Sequence, residues 1–243
     1  KANNEYSIIL IVPSKRAGTN KARNIGIHRS RGEILLFLDS DDELLQNAFN
    51  IIFKDFTNDK KLSIFFGKIK RISNPKFTNK KYKSEGGDYI KYIKTFRDQA
   101  EVLPAVRKTH LLTKGIKFDD DLWGFENLLY LRILKNDGYF YRSDKYIRLY
   151  DDIGLDRLSV TNFEKAKNFR DGYLRQLQEN FIGFLKYSRI NFFETILKII
   201  IYNRLIKRKN RFSLQNIISF ITFPLPINLI FKILNFFIIQ KKR

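Results

Sequence analysis

The stretch "RGEILLFLDSDD", Arg31 to Asp42, joins an apolar run to three carboxylates within four positions. Its apolar part, Ile34 to Leu38, predicts a buried strand that follows a turn at Gly32. Carboxylates this close repel one another unless a cation lies among them or a helix begins there. Two interpretations therefore stand at this point. Either Asp39 or Ser40 caps a following helix, or the acids hold a divalent metal.

The segments on both sides of this stretch predict an α/β fold. The apolar run from Ser7 to Val12 predicts a buried strand, and a helix is predicted from Thr19 to Ser30. Together with the strand from Ile34 to Leu38 they form a strand-helix-strand unit, which requires a parallel pairing of the two strands. A further helix is predicted over Leu44 to Phe56, and a further strand over Leu62 to Ile72.

The second half of the chain is predicted to be mainly helical. Short helices follow residue 88, a longer one starts near Phe125, a late strand begins at Tyr139, and a helix covers about Asn162 to Ser188. We expect two parts, an α/β domain over residues 1–160 and a helical C-terminal region over residues 161–243.

Composition narrows the class of protein. The chain has 243 residues, of which 44% are hydrophobic, which suffices for one sizeable core or a core with an appendage. It has no cysteine, which excludes a disulfide framework and thiolate metal sites and favours a reducing compartment. It also has no methionine and begins at Lys1, so we expect it to be part of a longer translation product.

The net charge of +21 is concentrated in the C-terminal region. From Tyr187 onward there are eleven Lys or Arg residues and one acid. The polar residues of the first helix there recur at three-to-four spacing and form one narrow stripe on an apolar helix: Asn191, Glu194, Thr195, Lys198 and Tyr202. This pattern favours a helix lying on an anionic membrane surface at the inner, cytoplasmic face, and packing against the body of the protein is the alternative. Basic charge alone would also suit nucleic acid, but the basic residues lie among aliphatic stripes instead of on a polar face with stacking aromatics.

The stretch "GTNKARNIGIHRSRGEILLFLDSDD", Gly18 to Asp42, resembles the central signature of family 2 glycosyltransferases with the GT-A fold. In that signature an Ala-Arg-Asn-x-Gly helix precedes Gly-Glu, an apolar strand and Asp-Ser-Asp-Asp. The resemblance implies that Asp39 and Asp41 form the Asp-x-Asp element, which contacts the donor sugar nucleotide and a Mg²⁺ or Mn²⁺ ion, with Asp42 as a further ligand. It also implies that Arg23 and Asn24 lie beside the nucleotide or its diphosphate. Without the resemblance, Arg23 would be interpreted as an exposed helix charge.

The same family carries an acidic pair at the start of a later helix, which takes a proton from the acceptor hydroxyl. Here "FDDDLWGFENLLYLRIL" matches the local pattern, but the pair is Glu126 and Asn127 instead of Glu-Asp. Because an amide cannot act as a general base, the resemblance leaves Glu126 or one of the acids at 119–121 for that role. Trp123 and Phe125 are candidates for stacking on a sugar, although aromatic residues beside a loop also serve as core.

Two further positions follow from the resemblance. In "YDDIGLDRLSVTN", Arg157 and Ser159 match a basic residue and a serine that approach the donor phosphates in the family. The resemblance extends from about Glu5 to Asn162. Members of the family begin with a strand-helix-strand section that carries an aspartate for the nucleotide base. This sequence has no counterpart to that section, so the domain is expected to be N-terminally incomplete.

These observations predict an inverting, metal-dependent glycosyltransferase. It would move a sugar from a nucleoside-diphosphate sugar to a glycan or lipid-linked acceptor in bacterial surface polysaccharide synthesis. Asn127 and the absent opening section motivate an alternative, a non-catalytic remnant or scaffold, and the charge alone motivates a nucleic-acid-binding protein. The sequence contains no signal for the donor sugar, the linkage or the oligomeric state.

Overall fold

The computed structural model describes residues 8–12, 18–73, 84–95, 102–150 and 163–207. The predictions for Arg157, Ser159 and the segment 208–243 concern positions outside these residues.

A mixed sheet forms the centre of the described structure. Its strands are β1 Ile34–Leu36, β2 Glu43–Leu44, β3 Leu62–Arg71, β4 Glu85–Gly87, β5 Val102–Arg107 and β6 Tyr139–Tyr150. Their order is β1-β5-β3-β6-β2, and β4 also pairs with β6. Strands β3 and β6 run parallel, whereas the other paired strands are antiparallel. The expected α/β fold with a parallel or mixed sheet is confirmed.

Helices cover both faces of this sheet. They are α1 Thr19–Arg29, α2 Ala48–Asn58, α3 Tyr89–Lys94, α4 Lys108–Thr113, α5 Glu126–Lys135, α6 Phe163–Tyr187 and α7 Arg189–Lys207. The predicted bounds of α1, α5 and α6 agree with the structure to within one residue. Helix α2 begins at Ala48, four residues later than predicted, because the chain first pairs β2 with β6.

The sheet separates two layers of the hydrophobic core. Along β3, Ile64 and Phe66 join a cluster with α5, α6 and α7, while Phe65 on the opposite face joins a cluster with α2. Helices α6 and α7 add Phe184 and Phe192 to the first cluster, and both side chains are fully buried. The division of the chain near residue 160 stays a prediction.

The predicted opening strand is wrong in the described segment. Residues 8–12 are exposed and belong to no strand. Their β-branched and aliphatic side chains favour a strand, but a strand also needs a hydrogen-bonded neighbour, and β1 takes its partner from β5 instead. The predicted strand-helix-strand unit is therefore absent from the described residues, and β1 and β5 pair antiparallel.

The C-terminal helices pack against the body of the protein. Asn191 and Thr195, two members of the predicted polar stripe on α7, are buried, as is Ile199 on the same helix. Their burial supports the packing alternative for the described part of α7. Among the described helices, none is both long and apolar enough to cross a membrane.

Candidate active site

Helix α1 is fixed to the loop before α5 by two asparagines. The amide nitrogen of Asn20 donates to the carbonyls of Asp119 (3.1 Å) and Gly124 (2.9 Å). The Asn24 side chain donates to the Phe118 carbonyl (2.9 Å) and accepts from the Phe118 amide (3.0 Å). Both asparagines are buried, so these hydrogen bonds set the position of the whole helix. The predicted donor contact of Asn24 stays a prediction, because its amide is used within the protein.

Arg23 lies between two of the predicted site residues. Its Nη1 is 2.5 Å from Oε1 of Glu126, and its Nη2 is 3.1 Å from Oδ1 of Asp39. The Arg23 side chain is 17% exposed. Burial by itself disfavours its charge, but the carboxylates of Glu126 and Asp39 outweigh burial and raise the pKa of Arg23. The structure thus brings together three residues that the sequence placed in one site.

The three acids of the Asp39–Asp42 turn have different surroundings. Asp39 is 56% exposed in its side chain, and Asp41 is exposed. The Asp42 side chain is fully buried, with Oδ2 2.6 Å from Nη2 of Arg148, although the angles are not those of an aligned hydrogen bond. Burial raises the pKa of Asp42, and the nearby Arg148 opposes this shift.

The capping interpretation of these acids is wrong. The Asp42 amide bonds the Asp39 carbonyl (3.2 Å) in a turn that leads into β2, and α2 begins only at Ala48. Asn47 occupies the N-cap position of α2, and no side chain caps that helix end. The acids therefore close one strand and precede another, far from a helix start.

The exposed part of this turn fits a hard divalent cation. Asp39 uses one oxygen for Arg23, while its other oxygen and the Asp41 carboxylate point to no described partner. Mg²⁺ is commonly held by one or two carboxylates together with substrate phosphate oxygens, so this donor set fits that ion. Within the described residues no three His, Asp or Glu side chains are grouped around a metal position. Asp42 could join only if its ion pair with Arg148 opened, so its role as a ligand stays a prediction.

Two arginines of β6 complete a cavity of about 320 Å³ next to Arg23. We call it the sheet cavity, and its charged lining consists of Arg23, Asp39, Glu126, Arg142 and Arg148. Arg142 is buried and donates to Oε1 of Glu85 (2.5 Å), yet its Nη2 has no partner among the described residues. The Nε of Arg148 is likewise buried and finds no partner in the described part of the chain. Buried unpaired donors of this kind suit an anionic ligand.

Sequence reasoning did not find Arg142 and Arg148. The available signal was two arginines in the predicted strand, six residues apart and hence on the same face of a regular strand.

The loop before α5 has an unusual backbone. Gly124 (φ 71°) and Phe125 (φ 59°) both adopt positive φ. Glycine accepts this conformation freely, but for phenylalanine it costs of order 1–3 kcal/mol and persists only where the surroundings enforce it. Phe125 is held by ring contacts with Phe169 and Tyr173 of α6. Glu126 follows as the first residue of α5, with its carboxylate turned to Arg23.

The alternative bases at 119–121 all have other partners. Asp119 pairs with Arg132 and Arg175, Asp120 accepts from Asn24, and Asp121 accepts from Arg175 at 2.9 and 3.0 Å. Among the described acids of this loop region, Glu126 is the one that lines the sheet cavity.

A second cavity, of about 540 Å³, lies between the loop Trp123–Asn127 and the facing sides of α6 and α7. We call it the helix cavity. Glu126 and Asn127 line both cavities, so the two meet at the start of α5. Trp123 is 39% exposed and lines the helix cavity, whereas Phe125 packs against α6. Sugar stacking by either residue stays a prediction.

Comparison with known proteins identifies the class of protein. Residues 1–118 match the family model described as "Glycosyl transferase family 2". This match covers just under half of the chain and agrees with the resemblance of Gly18 to Asp42 to the same family. No curated protein gave a match.

Two solved structures of S. aureus TarS residues 1–349 have a similar fold. The complex with UDP-GlcNAc gives a TM-score of 0.54 at 14% identity and covers 84% of this chain and 59% of that chain. The complex with UDP gives a TM-score of 0.50 at 15% identity, and the match covers 82% of this chain and 56% of that chain. The chain thus spans less than two thirds of the TarS chains it matches. At this identity the likeness concerns the fold.

Proposed function

We propose that the chain is the sugar-transferring part of an inverting glycosyltransferase that uses a nucleoside-diphosphate sugar as donor. The observation that carries this proposal is the bridging of Asp39 and Glu126 by Arg23 in one cavity, which also holds the unpaired donors of Arg142 and Arg148. The family match and the UDP-sugar complexes of the structurally similar TarS support the choice of donor.

Each charged residue has a task in this reaction. Arg142 and Arg148 provide cationic donors for the diphosphate, and Arg23 holds the turn of Asp39 against the start of α5. A Mg²⁺ or Mn²⁺ ion at Asp39 and Asp41 would offset the negative charge of the leaving diphosphate. Arg157 and Ser159 remain proposed further contacts of the phosphates.

Glu126 is the proposed general base. Its carboxylate takes the proton of an acceptor hydroxyl, whose oxygen then forms a bond to the anomeric carbon of the donor sugar. The bond from that carbon to the diphosphate oxygen breaks at the same time, its electron pair leaves with the nucleoside diphosphate, and attack from the opposite face inverts the anomeric centre.

We also propose that the protein acts at an anionic membrane surface on the cytoplasmic side. The exposed aliphatic residues of α7 recur on one face, and basic residues are dense from Tyr187 to the end of the chain. The exposed positions are Ile190, Leu197, Ile201 and Leu205. Such a location suits a glycan or lipid-linked acceptor.

Calorimetric titration of the full chain with UDP-GlcNAc, with Mg²⁺ and with a chelator, tests the donor proposal. We expect binding that weakens without the metal and is lost in Arg142→Met combined with Arg148→Met. Thermal melts of this variant distinguish lost binding from unfolding. Absence of binding by the intact chain to UDP-, GDP- and dTDP-sugars under every metal condition would favour the non-catalytic remnant.

A further inference from the structure

The helix cavity lies outside the proposed donor site, yet the proposed base is one of its lining residues. Glu126 and Asn127 line it on one side, and α6 and α7, which lie beyond the family match at residues 1–118, form the other. Because Glu126 belongs to the lining of both cavities, a group held in the helix cavity lies next to this residue. Its volume of about 540 Å³ lies in the ordinary range for small-molecule sites.

The polar stripe of α7 lines this cavity. Asn191, Glu194, Thr195 and Lys198, four of its five members, contribute to the wall. The fifth, Tyr202, stacks on Phe169 and Tyr173 of α6, which line the cavity themselves. The stripe that the sequence assigned to a membrane-bound helix thus faces a ligand-sized space next to the base.

The wall is held in place by internal hydrogen bonds. Asn168 accepts from the Trp123 amide (2.8 Å) and donates to the Trp123 carbonyl (3.0 Å). Asn191 donates to the Ile93 carbonyl (3.1 Å) and to Oγ of Ser188 (2.7 Å). Because these buried amides fix α6 to the loop and α7 to α3, these parts of the wall are in place before any ligand enters.

The chemistry of the wall suits a saccharide. The partly exposed Trp123 ring offers a surface for the apolar face of a sugar, Phe169 and Tyr173 add aromatic lining, and side-chain amides and the Thr195 hydroxyl belong to the same wall. The charged lining is of balanced sign, with Lys165 and Lys198 against Glu126 and Glu194, so it does not select a strongly charged ligand. Lys198 lies over the Tyr173 ring, 5.0 Å from its centroid, at the exposed side of α7.

We infer that the helix cavity binds the acceptor and that the acceptor is a neutral saccharide, whose hydroxyl is presented to Glu126. This inference rests on the proposed function, since it assigns the second substrate of the same reaction. It places the acceptor on residues of α6, α7 and the loop before α5.

The single tryptophan of the chain, Trp123, allows a direct test. Chitobiose, lactose and maltose are titrated into the full chain, and tryptophan fluorescence is recorded with and without saturating UDP. At least one disaccharide should give a saturable change that UDP does not abolish. In Lys198→Ala the dissociation constant should rise roughly tenfold, the size expected for a lost hydrogen bond to a charged group.

Lys186→Ala is the matched control, because Lys186 is also exposed and lies over a ring, that of Tyr187 at 5.2 Å, but does not line the cavity. Its dissociation constant should equal that of the unaltered chain. Equal weakening in both variants, or no response to any of the three sugars while UDP-GlcNAc still binds in the calorimeter, would overturn the acceptor assignment and leave the donor proposal standing. Sugar binding by a chain that binds no nucleotide sugar would overturn both.

Discussion

The sheet cavity and the helix cavity share Glu126 and Asn127 but differ in chemistry. The charged lining of the sheet cavity consists of three arginines and two carboxylates, and its other lining residues are mostly aromatic. The helix cavity has four charged residues of balanced sign, and most of its remaining lining consists of aromatic rings and side-chain amides. A site that must compensate a diphosphate needs charge, whereas one that must orient hydroxyls needs rigid neutral groups. This difference is the reason why we propose one substrate for each cavity.

The largest expected effect concerns Glu126, one of the two residues that line both cavities. Glu126→Gln keeps the shape of the side chain but removes the proposed base, so kcat for sugar transfer should fall about 10²–10⁴-fold. The affinity for UDP-GlcNAc, measured by calorimetry, should change little, because the donor is assigned to the arginines. Asn127→Asp is the control, since it restores the acidic pair of the family pattern. A large gain in kcat from Asn127→Asp would transfer the role of base to position 127.

A smaller effect is expected in the buried ion pair beside the sheet cavity. Arg148→Met leaves the Asp42 carboxylate buried without its cation, so the free energy of unfolding at pH 7 should fall by about 3 kcal/mol. Burial raises the pKa of Asp42 in the folded state. The free energy of unfolding therefore falls as pH rises through that pKa, and it recovers when the pH is lowered and the carboxyl group is protonated.

Urea unfolding of Arg148→Met at pH 7 and pH 4.5 measures this dependence. The loss in free energy of unfolding caused by Arg148→Met should be smaller at pH 4.5 than at pH 7. Adding Asp42→Asn should remove most of that loss at pH 7. A loss that is equal at both pH values would show that Asp42 is not the group responsible.

The smallest expected effect concerns the floor of the helix cavity. A Cβ at Gly172 would lie 2.3 Å from the Phe125 ring, so Gly172→Ala must displace that ring. The free energy of unfolding should fall by about 1–3 kcal/mol. Since Phe125 precedes Glu126, kcat should fall along with the melting temperature. Gly26→Ala is the matched control, because Gly26 is also helical but has open space around its Cβ position. Gly26→Ala should gain up to about 1 kcal/mol in its free energy of unfolding. If Gly172→Ala melts at the same temperature as Gly26→Ala, the close approach of position 172 to the Phe125 ring is refuted.

The predicted part of the site depended on local patterns with fixed spacing. Arg23 and Asp39 are 16 residues apart, and the family resemblance of the stretch that contains both assigned them to one site. Glu126 could be placed only through the family resemblance. Nothing local connects it with Arg23, which is 103 residues away.

The missed and mistaken elements had misleading local signals. Strand β5 contains Pro104, which lacks an amide hydrogen, although the strand lies between β1 and β3. Residues 8–12 had the side chains of a strand but find no partner among the described strands. The stripe on α7 was identified correctly as polar. Periodicity locates such a face but does not tell whether a membrane, a core or a cavity adjoins it.

The hydrogen bonds that join α1 to the loop before α5 and to its first residue have a consequence for how the protein folds. They join residues about 100 positions apart, from Asn20 to Gly124 and from Arg23 to Glu126. Closing so long a loop is entropically costly, and such distant contacts form late in folding. A chain emerging from the ribosome can pair β1, β5 and β3 before Glu126 is synthesised, whereas β2 and β4 must wait for β6, which follows Glu126 in the chain. The contact of Arg23 with Glu126 should therefore be among the later ones that the molecule makes.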